Sequence, residues 1–126
     1  ADWRGTKCNV YLITDEENGE TAEKAYAYFQ TLYQDREVWD DKFRQFSADE
    51  LLELANEWYE YSDDDFDVEM PIQRDEFLRR LSIASIEIYE EGSITVYYDA
   101  DEMFTDHAIV IYAKIDGKIS SADIIG

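Results

Sequence analysis

Asp99, Asp101, Glu102, Asp106 and His107 bring four carboxylates close to the only histidine of the chain. Carboxylates beside an imidazole can coordinate a divalent cation, or can hold a histidine in one tautomer so that it works as a general base. The pattern is not specific, because a histidine opening a buried strand also serves as a structural residue when a ring nitrogen bonds a carbonyl or carboxylate. No second histidine, activated serine signature or thiolate pair accompanies it. No catalytic residue, metal ligand or cofactor is therefore assigned, and Asp99, Asp101, Glu102, Phe104, Asp106 and His107 are taken as candidate binding residues.

A second acidic run, Asp63, Asp65, Asp67 and Glu69, imitates the opening of a calcium loop. An EF-hand loop counted from Asp63 requires glycine and glutamate where this chain has Val68 and Arg74, so the match fails. The five glycines are isolated, which disfavours a phosphate-cradling loop. Aromatic residues are abundant, and most fall on helical stripes or strand faces where a core needs bulk. Tyr28, Tyr89 and Tyr97 fall out of phase. Tyr89 and Tyr97 are expected on the hairpin face opposite Ile88, Val96 and Tyr98, where tyrosines flanked by carboxylates have the composition of a protein-binding surface.

Charge restricts the partners. With 31 acidic against 11 basic residues the chain carries a formal charge of −20. Such a field repels phosphate backbones and anionic lipid, so direct nucleic-acid or membrane binding is not expected, and it steers a basic protein inward. Cys8 is the single cysteine, which excludes an intramolecular disulfide and predicts a buried small apolar group. No signal peptide or long apolar run is present, so a soluble, cytoplasmic protein is expected.

These residues need a scaffold, and 126 residues with 45% hydrophobic content suffice for one domain, residues 1–126. Residues Lys7 to Thr14 read as a first strand. From Thr21 to Gln34 the stripe Ala22, Ala25, Tyr26, Phe29, Leu32 and Tyr33 predicts a helix, with Tyr28 outside it. Asp35 caps a short second helix bearing Trp39, Phe43 and Phe46. Ser47 and Glu50 form a capping-box pattern that opens a third, with Leu51, Leu52, Ala55, Trp58 and Tyr59 on its stripe. The stretch from Tyr61 to Glu69 reads as a loop, and Pro71 as the entry to a short helix carrying Phe77, Leu78 and Leu81.

The period then changes from helical to alternating. Ala84, Ile86 and Ile88 followed by Ile94, Val96 and Tyr98, across Glu91-Gly92, predict a hairpin. Ala108 to Ile115 and Lys118 to Ile125 predict a second hairpin about Asp116-Gly117. The fold class expected is α+β: an antiparallel sheet of about four to five strands with three to four helices packed on one face.

Several of these segments together resemble the bacterial DUF2262 family, a domain of unknown function. The resemblance covers nearly the whole chain: Trp3 and Gly5 before a strand, Trp39 in WDDKFRQFSADELLELANEWYE, Phe77 and Leu81 in DEFLRRL, and the closing DADEMFTDHAIVIYAKIDGKISSADIIG. The family pattern near the end is an aspartate-rich turn, an aromatic residue, then Gly-His and a strand. Phe104 and His107 match it, whereas Asp106 stands in place of the glycine. The resemblance implies a fold and no assigned activity.

The function expected is that of a non-catalytic protein-binding module for a basic partner, in the manner of a toxin-neutralising immunity protein. The alternative is a metal-binding or hydrolytic enzyme using the acidic loop and His107. A third is a scaffolding part of a longer polypeptide, since the chain opens on Ala1 in place of Met. Oligomeric state is not legible.

Overall fold

A computed structural model describes residues 2–3, 5–13, 19–60, 72–101, 103–104 and 107–125. Strands β1 (Asp2–Trp3) and β2 (Thr6–Lys7) form a small antiparallel pair, and β3 (Asn9–Ile13) leads to helices α1 (Gly19–Gln34), α2 (Arg36–Glu60) and α3 (Arg74–Arg80). Strands β4 (Ser82–Tyr89), β5 (Ser93–Asp99), β6 (Ala108–Lys114) and β7 (Ile119–Ile125) complete a five-stranded sheet in the order β3-β4-β5-β6-β7. The α+β class holds.

The sheet is antiparallel except at one edge, where β3 runs parallel to β4. All three helices lie between those two strands in the chain, and parallel neighbours require such a crossover connection. Alternation within the sheet explains its core. Ile86, Ile88, Ile94, Val96, Tyr98, Ile109, Ile111 and Ala113 are buried and form cross-strand rows on one face. Helices α1 and α2 lie against that face, and α3 packs on α2.

Two helices expected on either side of Ser47 are one continuous helix of 25 residues. Ser47 does not cap: it is buried, and its Oγ donates to the Phe43 carbonyl one turn back, at 2.8 Å. Trp39, Phe43, Ser47, Leu51 and Ala55 recur every fourth residue and all are buried. A capping-box motif is thus overruled by a core that runs straight through it.

On α1 the stripe is shifted relative to expectation. Ala25 and Leu32 are buried and Tyr28, Phe29 and Tyr33 pack beside them, whereas Tyr26 is 53% exposed. Tyr28 is drawn in by the β4–β5 turn, where its ring lies near Gly92, whose φ of +92° requires the conformational freedom of glycine. A register shift between Ile83 and Ser85 likewise turns Ile83 into the core and leaves Ala84 exposed.

Cys8 is buried, 1% exposed, and burial pushes its thiol up to about 11. Because the thiolate is the nucleophile, native protein at neutral pH is expected to react with a disulfide reagent orders of magnitude more slowly than denatured protein. A stopped-flow thiol assay checks this, and comparable rates in both states would show that Cys8 is accessible.

Candidate functional site

The eight residues singled out in the sequence separate into distinct environments. Glu102 and Asp106 lie outside the described residues, as does the acidic run from Asp63 to Glu69. Phe104 is completely buried, and its ring meets Trp58 edge-on with centroids 5.5 Å apart. His107 meets the same indole edge-on at 5.4 Å, and its Nδ1 lies 3.1 Å from the Phe104 carbonyl oxygen. The two residues that match the family pattern best therefore dock the β5–β6 connection onto the end of α2.

Asp99 and Asp101 form a second group. Asp99 Oδ1 accepts the Asp101 backbone N–H at 2.8 Å, and Asp101 takes a left-handed φ of 46°. Aspartate tolerates that region better than most residues. Arg80 donates to the Asp101 carboxylate at 3.0 Å and to its carbonyl at 2.7 Å, closing the loop over the end of α3. Among the described residues no group of three or more His, Cys, Asp and Glu is arranged to hold a metal ion.

Tyr89 and Tyr97 belong to the other face of the sheet. Pairing places Tyr11, Glu87, Thr95, Tyr112 and Ser121 in one row across all five strands, and Asn9, Ser85, Tyr97, Val110 and Asp123 in the next. Tyr11 is 52% exposed and Tyr112 46%, so this face is exposed at β3 and β6, whereas Thr95 and Val110 nearer its middle are buried. Tyr89 and Tyr97 are half-buried, flanking Glu87. Tyr89 Oη donates to Glu87 Oε2 at 3.0 Å. The bond to Glu87 raises the Tyr89 pKa most, while for Tyr97 burial leads and the Glu87 charge adds to it.

Glu87, Tyr11 and Tyr112 were not among the expected site residues. The signal existed in part, since Glu87 alternates with the core residues Ile86 and Ile88. Tyr11 and Tyr112 lie on strands far apart in the chain, and only strand order brings them to one face.

A buried polar cluster escaped the sequence altogether. Asp40, 1% exposed on α2, accepts from Tyr98 Oη at 2.6 Å, Trp3 Nε1 at 3.1 Å and Arg44 Nε at 2.7 Å. Arg44 continues to the Leu78 and Leu81 carbonyls at 2.7 and 2.8 Å, with its guanidinium 5.4 Å from the Tyr98 ring centroid. Burial alone would raise the Asp40 pKa, but hydrogen bonds from Tyr98, Arg44 and Trp3, with the Arg44 charge, hold it below 3.8. The same burial, reinforced by the Asp40 charge, pushes the Tyr98 phenol well above 10. These groups satisfy one another and join β1, α2, α3 and β5. The sequence signal was the i, i+4 pair Asp40 and Arg44 in phase with Phe43 and Ser47.

No helix among the described residues is long and apolar enough to cross a membrane. The model of the DUF2262 family, described as uncharacterised protein conserved in bacteria, matches residues 1–124, and the chain belongs to that family. No curated protein and no solved structure matches the chain.

Proposed function

We propose that this DUF2262-family chain is a non-catalytic binding module that engages a basic protein through the outer face of its sheet. The observation that carries the reading is the group of tyrosines on the outer face of the sheet, Tyr11 and Tyr112 in the cross-strand row of Glu87 and Tyr89 and Tyr97 beside it. Tyrosine supplies large contact area at small entropic cost and keeps a hydrogen-bonding tip, which suits it to interface centres. The formal charge of −20 supplies the complementary long-range attraction. An immunity-like role, occluding the cationic groove of a toxin, is the narrower form of this reading and rests on charge and size.

Use of the C-terminal loop as a metal or hydrolytic site draws less support. His107 is engaged with Phe104 and Trp58, and Asp101 with Arg80.

The test compares immobilised wild-type protein with a Tyr97→Ser/Tyr112→Ser variant in capture from bacterial lysate at low salt. The expected result is a basic protein retained by the wild type, released by a salt step, and lost from a variant whose circular dichroism is unchanged. Equal retention by both proteins, or retention indifferent to salt, overturns the reading.

A further inference from the structure

We infer that Glu87 and its surrounding tyrosines are the anchor for an arginine side chain of the partner, an inference that rests on the binding reading above. Glu87 lies between Tyr11 on one neighbouring strand and Thr95 on the other, with Tyr112 one strand further. Tyr89 Oη holds one carboxylate oxygen at 3.0 Å. A carboxylate has about four lone-pair positions, so this phenol leaves room for a further pair of donors.

The carboxylate is half-buried, yet among the described residues no lysine or arginine forms an ion pair with it. Its hydrogen-bond partner is the neutral Tyr89 phenol, which stabilises the anion without neutralising it. A cation arriving from outside would meet an un-neutralised carboxylate on a face that carries several tyrosines, and both attract it, the first by direct Coulomb interaction and the second where it can stack on a ring.

The geometry selects among cations. A guanidinium is planar, so it stacks on a tyrosine ring while its N–H fork reaches the carboxylate, and it is more weakly hydrated than an ammonium. Lysine offers a compact, strongly hydrated charge that must surrender more solvation to enter the same position. The occupant is therefore an arginine projecting from a basic protein surface, approaching along the field of a chain that carries −20.

The probe is a short peptide of alternating arginine and glycine, with its lysine counterpart, titrated into isotopically labelled protein and followed by amide NMR. Expected are shifts concentrated at Glu87, Tyr89, Thr95, Tyr97 and Tyr112, tighter binding of the arginine peptide, and about tenfold weaker binding by Glu87→Gln, equivalent to about 1.4 kcal/mol. Glutamine keeps an oxygen to accept the Tyr89 phenol, so the fold is retained. Shifts confined to the acidic surface of α2, no shift at millimolar peptide, or equal binding by Glu87→Gln would each overturn the anchor. Lysate capture separates the two ideas. If Glu87→Gln retains the basic partner while the double tyrosine variant loses it, the anchor falls and the binding reading stands; if both variants retain it, both fall.

Discussion

Replacing Asp40 with alanine is expected to cost about 3–5 kcal/mol of folding stability, the range for removing one member of a buried charge pair. The loss is not that of a single bond. Tyr98 Oη from β5, Trp3 Nε1 from β1 and Arg44 Nε from the next turn of α2 all point at this carboxylate. Without it the phenol and indole donors stay buried with no acceptor, at about 1–3 kcal/mol each when unrelieved, and the Arg44 charge loses its counter-ion. Chemical denaturation of the variant beside the wild type measures the difference. A loss below about 1 kcal/mol would mean that these donors find other partners.

The same residue carries a pH signature. The Asp40 pKa is lowered in the folded state, so its contribution is complete above the unfolded value of about 3.9. It declines as pH falls through the lower folded value, because the unfolded chain takes up the proton first. The stability gap between wild type and Asp40→Ala is therefore expected to narrow as the pH is lowered below about 3.9. A gap that is constant from neutral pH to strongly acidic conditions would show that the ionised form of Asp40 is not the one stabilised by folding.

Trp58→Ala is expected to cost about 3 kcal/mol, the lower end for truncating a large aromatic because the indole is only partly buried. Its effect should also reach the β5–β6 connection. Phe104 and His107 both meet the indole edge-on, so the substitution removes the surface that holds this segment against α2. Amide hydrogen exchange at Phe104 and at His107 to Ile109 is expected to accelerate in the variant, while the β4–β5 ladder is affected far less. A double-mutant cycle with His107→Ala should return a coupling of about 0.5–1.5 kcal/mol. No coupling would argue that the imidazole serves some purpose other than packing on Trp58.

The C-terminal loop illustrates how residue type alone leaves out the partners that the fold supplies. Asp99, Asp101 and His107 are the components of a metal or acid-base site when read in order along the chain. In three dimensions Asp101 turns to Arg80 and His107 to Trp58, partners that lie 21 and 49 positions earlier in sequence. Long-range partners of this kind leave no local periodicity to detect. Tyr89 and Tyr97 were legible because a strand turns alternate side chains to opposite faces, so their phase relative to Ile88 and Val96 already separated them from the core.

Helix continuity was harder to read. Ser47 and Glu50 satisfy a local capping rule, so α2 reads as two shorter segments. The helix instead runs on because Ser47 is buried among Phe43, Leu51 and Ala55 and satisfies its hydroxyl on the Phe43 carbonyl. Tyr26 and Tyr28 exchanged roles on α1 for a related reason: the two are close in helical phase to the edges of the stripe, and the position of the β4–β5 turn decides which is covered.

By itself the sequence determined the α+β class, the strand pairs about Gly92 and Gly117, the net charge of −20, and the family, because each depends on composition, local period or motif. Tertiary structure decided the parallel edge strand, the unbroken α2, the buried Asp40 cluster and the assembly of Tyr11, Tyr89, Tyr97 and Tyr112 about Glu87. Each of these depends on which distant segments become neighbours. Periodicity tells a segment which face to bury, but not what it will be buried against.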